Sequence, residues 1–255
     1  MKLAKICGIK TTAAAEKAID SNADLLGMIM VPNRKRTIDK NVALQVTELI
    51  KNRRKNTKRH IQTASQLIKH LENERFNSID ELLSRFSALI QENGPFSVGV
   101  FRNQTIEEVF KTASELDLDF IQLHGSEDKR EFVNYNSKDK KFVIIGRYVV
   151  PSDVANLESM FESLLKDRQY VGGGLSIPLL DSEAGGEGIT IDWDAVGGIQ
   201  KGKFLLAGGL NSDNLNDTCH LKNVIGYDVS GGVEDEDGNK DPTKIETFIK
   251  VAHSI

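Results

Sequence analysis

The chain has 255 residues, 39% of them hydrophobic and 27% charged, with a formal net charge of −4. That composition supports a sizeable core and excludes whole-chain disorder and collagen-like repetition. The modest negative charge argues against a dedicated nucleic-acid binder, and two cysteines, Cys7 and Cys219, are too few for a disulfide framework.

Short apolar runs recur along the chain, each followed by a turn and a helical pattern. The first spans residues 5–9 and is followed by a helix over 11–20. The second, 25–31, is apolar almost throughout, as a parallel strand buried on both faces should be. Further runs follow at 96–101, 120–123, 142–150, 177–180, 204–207 and 224–229. Thr105 with Glu108, and Thr243 with Glu246, have capping-box spacing, and Asp241-Pro242 reads as a helix entry. Eight strands alternating with helices predict a single (β/α)8 barrel, a TIM barrel, over residues 1–255. No run reaches the roughly 18 apolar residues of a membrane span. The opening residues do not have the form of a signal peptide, so a cytoplasmic protein without a membrane partner is expected.

One region breaks the rhythm. After a helix over 39–53, residues 54–95 form a helical insertion before the third strand. It opens within a basic run, Lys51, Arg53, Arg54, Lys55, Lys58 and Arg59. The run reads as a solvated helix end and linker, or else as a docking patch for an anionic partner such as RNA. No aromatic residue is interleaved for a base to stack on, which argues against nucleic acid. Apolar stripes at Ala64, Leu67, Ile68 and Leu71, and at Ile79, Leu82, Leu83, Phe86, Leu89 and Ile90, predict two packed helices, the second with a capping box at Ser78 and Glu81. Lying on a helix-to-strand connection, the insertion belongs at the N-terminal face, away from catalysis.

Barrel active sites sit at the C-terminal strand ends. The residues there are Cys7-Gly8; Arg34, Lys35 and Arg36; Arg102 and Asn103; Gln122 and His124; Asp181 before Gly185, Gly186 and Gly188; Gly208-Gly209; and Asp228 with Ser230-Gly231-Gly232. Glycines after strands seven and eight suit a phosphate, because backbone N–H groups can approach an anion closely there. Cys7 and Asp181 are the candidate acid/base pair. His124 is either a ligand contact or a hydrogen-bonded core histidine. Cys219 is expected to be inert inside a helix, and the other histidines form no metal-ligand spacing, so no metal is expected.

Seven motifs in order carry a family resemblance: Lys5-Ile6-Cys7-Gly8-Ile9, then Val31-Pro32-Asn33-Arg34-Lys35-Arg36-Thr37-Ile38, Gly99-Val100-Phe101-Arg102-Asn103, Gln122-Leu123-His124-Gly125, the stretch from Leu180-Asp181 through Gly185-Gly186-Glu187-Gly188 to Asp192-Trp193, Leu206-Ala207-Gly208-Gly209-Leu210, and Asp228-Val229-Ser230-Gly231-Gly232-Val233-Glu234. The sequence resembles the phosphoribosylanthranilate isomerases of tryptophan biosynthesis, in their fungal, single-function form. The resemblance implies an Amadori rearrangement without a cofactor, in which Asp181 is the acid and Cys7 the base. Arg36 would hold the anthranilate carboxylate, Gly208, Gly209, Ser230 and Gly231 the phosphate, and His124 and Asp228 would line the pocket. Glu187 and the insertion depart from the family pattern. The implied partner is a small phosphorylated substrate, and the chain is expected to be a monomer or weak homo-oligomer. Indole-3-glycerol phosphate synthase, another phosphate-binding barrel, would require a Lys and Glu pair instead. A catalytically silent phosphosugar- or RNA-binding protein would not need Cys7, Arg36 and Asp181 together.

Overall fold

Residues 1–166, 176–182 and 191–255 are described by a computed structural model of the chain. The glycine-rich stretch with Gly185, Gly186, Glu187 and Gly188 lies outside the described residues. Eight parallel strands close into a barrel in sequence order: β1 Leu3–Ile6, β2 Leu25–Ile29, β3 Phe96–Phe101, β4 Phe120–Leu123, β5 Val143–Val149, β6 Ser176–Asp181, β7 Phe204–Leu206 and β8 Val224–Val229. Closure comes from β1, which pairs with β2 on one side and β8 on the other. The strand interiors are buried almost throughout because the helices cover the outer face and side chains fill the barrel.

Several strands stop earlier than the apolar runs do. The first strand ends at Ile6, although Cys7 N–H still donates to Val229 O at 2.8 Å and Ile9 N–H to Gly27 O at 3.0 Å. The second ends at Ile29 and the seventh at Leu206. Apolarity continues past the ladder because these residues line the mouth of the barrel rather than its wall.

The barrel helices are α1 Thr12–Asp20, α2 Lys40–Asn56, α5 Ile106–Glu115, α6 Lys129–Asn136, α7 Val154–Lys166, α8 Trp193–Gly197 and α9 Pro242–Ser254, with α3 Ala64–Glu72 and α4 Ile79–Asn93 inserted between α2 and β3. Thr105 and Glu108 form the reciprocal capping box expected of them. Ser78 caps α4, but the Glu81 carboxylate turns back to Asn77 N–H at 2.8 Å instead of closing a box. The box expected at Thr243 does not form. Asp241 already caps α9 by accepting from Thr243 and Lys244 N–H, so Thr243 lies inside the helix and Glu246 pairs with Lys17. Between β7 and β8 the connection holds only a 3-10 turn, Leu215–Thr218, and Cys219 follows it, exposed, rather than lying inside a helix. Asn211 and Asn214 bind neighbouring backbone groups there and compete with helix formation.

The inserted helices cross the N-terminal face as a floor. Phe86 of α4 stacks on Phe120, the first residue of β4, at 6.3 Å between centroids. Asp80 accepts from Gly202 N–H just before β7, Gln91 donates to Met1 O ahead of β1, and Lys140 before β5 pairs with Glu72 of α3. The apolar stripes of α3 and α4 are buried in the same core as the barrel. The basic run is largely used up beneath it. Arg54, far from being solvated, is fully buried and forks onto Asp119 at 2.9 and 3.1 Å, with its guanidinium 4.7 Å over Phe96. Arg53 reaches Asp20 and Ile19 O, Arg59 reaches Glu92 O, and Lys51 pairs with Asp117. No helix among the described residues is long and apolar enough to cross a membrane.

Candidate active site

At the opposite face a cavity of about 330 Å³ opens where the strands end. All the site residues expected from sequence line it: Cys7, Arg36, His124, Asp181, Gly208, Gly209, Asp228, Ser230 and Gly231. Cys7 follows β1 directly and Asp181 closes β6, so the two face the cavity with β7 and β8 between them.

Asp181 is buried, and burial raises its pKa despite the opposing pull of Arg147. Arg147, midway along β5, donates through Nε to Asp181 Oδ2 at 3.0 Å and through Nη2 to Ser182 O at 2.6 Å. The raised pKa is what a general acid near neutrality needs. His124 stands 3.9 Å from the same carboxylate oxygen, and its Nδ1 is buried without a partner among the described residues. Burial, with Arg147, Lys5 and Arg102 nearby, lowers its pKa to about 3, so the ring is neutral. An uncharged imidazole with an orphaned nitrogen beside the acid is a ready ligand contact.

Cys7 behaves differently from a poised thiolate. Burial pushes its pKa up, Lys5 and Lys240 pull it down, Asp228 adds to the rise, and the balance lies above the ordinary value. In the open pocket it is therefore a thiol. Arg36 is already engaged: its Nε and Nη2 fork onto Glu234 at 2.7 and 2.8 Å. Burial alone would raise the Glu234 pKa, but hydrogen bonds from Arg36 and Lys240 outweigh it and lower it to about 2.

The wall after β7 and β8 is built of backbone. Gly208 and Gly209 have φ of +88° and +65°, the left-handed region that glycine enters without strain. A Cβ on Gly232 would meet Leu210 O at 2.0 Å, so the two loops can touch only because that position is glycine. Lys240 Nζ ties the second loop down by donating to Ser230 O at 2.9 Å. Among the described residues no cluster of His, Cys, Asp or Glu could hold a metal ion.

Sequence reading missed Lys5, Arg147 and Lys240. The first two had a usable signal, a charge inside an otherwise apolar strand, which in a barrel must point into the interior and find a partner.

Fold and site define the class: a (β/α)8 barrel with a thiol and a carboxyl facing one pocket at the C-terminal strand ends. Comparison with known proteins narrows it. The family model described as N-(5'-phosphoribosyl)anthranilate (PRA) isomerase matches residues 50–251. The N-(5'-phosphoribosyl)anthranilate isomerase of Candida albicans is 46% identical over 254 residues, covering 100% of this chain and 99% of that one. The Saccharomyces cerevisiae enzyme of the same name is 38% identical, covering 98% and 94%. Among solved structures, phosphoribosyl anthranilate isomerase from Thermotoga maritima superposes with a TM-score of 0.68 at 24% identity, covering 100% of both chains. A second, in complex with reduced 1-(o-carboxyphenylamino)-1-deoxyribulose 5-phosphate, gives 0.65 at 23%, again covering both chains fully. At that identity the structures speak for the fold alone. The chain belongs to the N-(5'-phosphoribosyl)anthranilate isomerase family.

Proposed function

We propose that the chain carries out its family's aldose–ketose isomerisation, a step of tryptophan biosynthesis, with Asp181 as general acid and Cys7 as general base. The substrate is N-(5'-phosphoribosyl)anthranilate and the product is 1-(2-carboxyphenylamino)-1-deoxyribulose 5-phosphate. Asp181 gives its proton to the ring oxygen as the C1–O bond breaks, leaving an iminium between C1 and the anthranilate nitrogen. Cys7 as thiolate takes the proton from C2, and the electron pair neutralises the iminium to an enolamine. Loss of the C2 hydroxyl proton and protonation at C1 give the ketone. Hydrogen is only redistributed within the substrate, so the chemistry calls for no cofactor.

The observation that carries the reading is that Cys7 and Asp181 share one cavity, walled by the Gly208-Gly209 and Ser230-Gly231 backbone. In this reading the glycine loops receive the phosphate, Arg36 the anthranilate carboxylate, and His124 and Asp228 the ribosyl chain. Residues 1–255 act as one barrel, with 54–95 as an inserted floor that takes no part in chemistry. The reading includes a monomer or weak homo-oligomer in the cytoplasm, and the internal pairing of the basic run supports leaving nucleic acid out of it.

The proton inventory has a consequence for pH. Both groups are shifted upward, but a thiol above its ordinary value still ionises well after a carboxyl does. The working state, Asp181 protonated and Cys7 ionised, is thus a minor one. Turnover follows a bell whose acid limb reports the carboxyl and whose alkaline limb reports the thiol.

The test is direct. With N-(5'-phosphoribosyl)anthranilate generated in situ, the protein should abolish its fluorescence, and the gene should rescue a tryptophan auxotroph lacking this step. A folded protein that leaves the fluorescence unchanged overturns the reading.

A further inference from the structure

Lys5 is a fully buried ammonium in the first strand, two residues before Cys7. Alternation along the strand turns both side chains toward the barrel interior. Its Nζ donates to Asp228 Oδ1 at 2.8 Å, across the β1–β8 pairing in which Lys5 stands opposite Asp228. On the other flank is Gly27 of β2. A Cβ there would lie 2.8 Å from Cys7 Sγ and 3.0 Å from Lys5 Nζ, so the two atoms occupy the space that a missing side chain leaves. Across that space the Lys5 ammonium and the Cys7 sulfur face each other, the cation favouring the thiolate and the thiolate favouring the ammonium.

A buried ion pair is poor value as a stabiliser, because an apolar pair of similar volume does as well or better. The site therefore calls for a reason beyond packing. The charged groups facing Cys7 are Lys5 from its own strand, Asp228 from β8, Lys240 from beyond β8 and Arg36 from the loop after β2. Lys240 and Arg36 both hold Glu234, and Asp228 disfavours a second anion beside it. Lys5 is the cation whose ammonium shares the space beside Gly27 with the sulfur, and it is foremost among the cations that favour the thiolate.

We propose that Lys5 is the positioning residue for the Cys7 base: anchored by Asp228 and given room by Gly27, its ammonium orients the sulfur and supplies the counter-charge whenever Cys7 is a thiolate. The inference rests on the reading of Cys7 as base. Lys5 remains an ammonium throughout. The thiol proton leaves to solvent before turnover, and the thiolate then takes the proton from C2.

The test uses a Cys219→Ser background, in which Cys7 is the only thiol. Alkylation by iodoacetamide is followed against pH, beside kcat and KM. Lys5→Met should raise the midpoint for thiolate formation by about one pH unit or more. Each such unit should lower kcat near neutrality about tenfold, with little change in KM. Lys5→Arg should restore part of both. A folded Lys5→Met protein with an unmoved midpoint overturns the proposal. Should that variant not fold, the unaltered lysines answer instead: in isotope-labelled protein the Lys5 ammonium signal should shift at the pH where Cys7 ionises, and a signal indifferent to that midpoint overturns it. Full turnover by Cys7→Ser would instead remove the base reading, while the alkylation profile still judges the Lys5–sulfur coupling on its own.

Discussion

The two ends of this barrel treat their buried polar groups differently. At the floor, Asp119 accepts from both Nη atoms of Arg54, from Ser97 N–H and from the Ser97 hydroxyl, so the carboxylate is held by fixed neighbours, although Arg54 Nε and Arg59 Nε have no partner among the described residues. At the mouth, Gln122 Oε1, His124 Nδ1 and Ser182 Oγ are buried without a partner among the described residues. An ion pair closed on fixed neighbours holds parts together, whereas unpaired polar atoms beside a cavity leave capacity for a ligand. The inserted helices cover the first end, and the glycine loops wall the cavity at the second.

Substitutions can break or sharpen this contrast. The largest effect belongs to Asp181→Asn, which should abolish turnover while the melting temperature stays near wild type. Cys7→Ser should lower kcat by about 10²–10⁴-fold, the usual contribution of a proton-transfer group. Full activity in both variants would strip the mouth of its assigned chemistry. At the floor the readout should invert. Arg54→Met leaves Asp119 buried and unpaired and should cost about 3–5 kcal/mol in denaturant unfolding, with kcat unchanged. A large fall in kcat in the folded variant would show that the two ends are coupled. Arg36→Lys, which loses the planar fork, should raise KM about tenfold and leave the stability alone. Smallest of all, Lys51→Ala breaks an exposed pair with Asp117 and should shift stability by less than about 1 kcal/mol.

The fold was legible because parallel strands buried on both faces leave continuous apolar runs, and the helices between them carry their own caps. The lining of the candidate site was legible for a related reason: a barrel's cavity opens just past those runs, and that is where Cys7, Asp181 and the paired glycines lie. What stayed hidden were partnerships across the fold. Arg54 sits in a run of positive charges and reads as solvated until Asp119, sixty-five positions later, is seen beside it. Lys5 finds Asp228 only when the barrel closes, and Arg147 finds Asp181 only through strand pairing. The failed Thr243 box is a local version of the same limit, since two adjacent capping signals compete and spacing does not rank them.

Glu234 gives the pocket a built-in rival. Where Arg36 receives a substrate carboxylate, that group must compete with one already fixed on the same guanidinium at 2.7 Å. A tethered competitor acts at an effective concentration in the millimolar range or above, beyond what most free small acids reach in solution. Simple carboxylates should therefore gain little from this arginine. On the proposed reading, occupancy would go to molecules that bring a second anchor to the glycine wall, and the internal carboxylate would screen ligands by valency before chemistry begins.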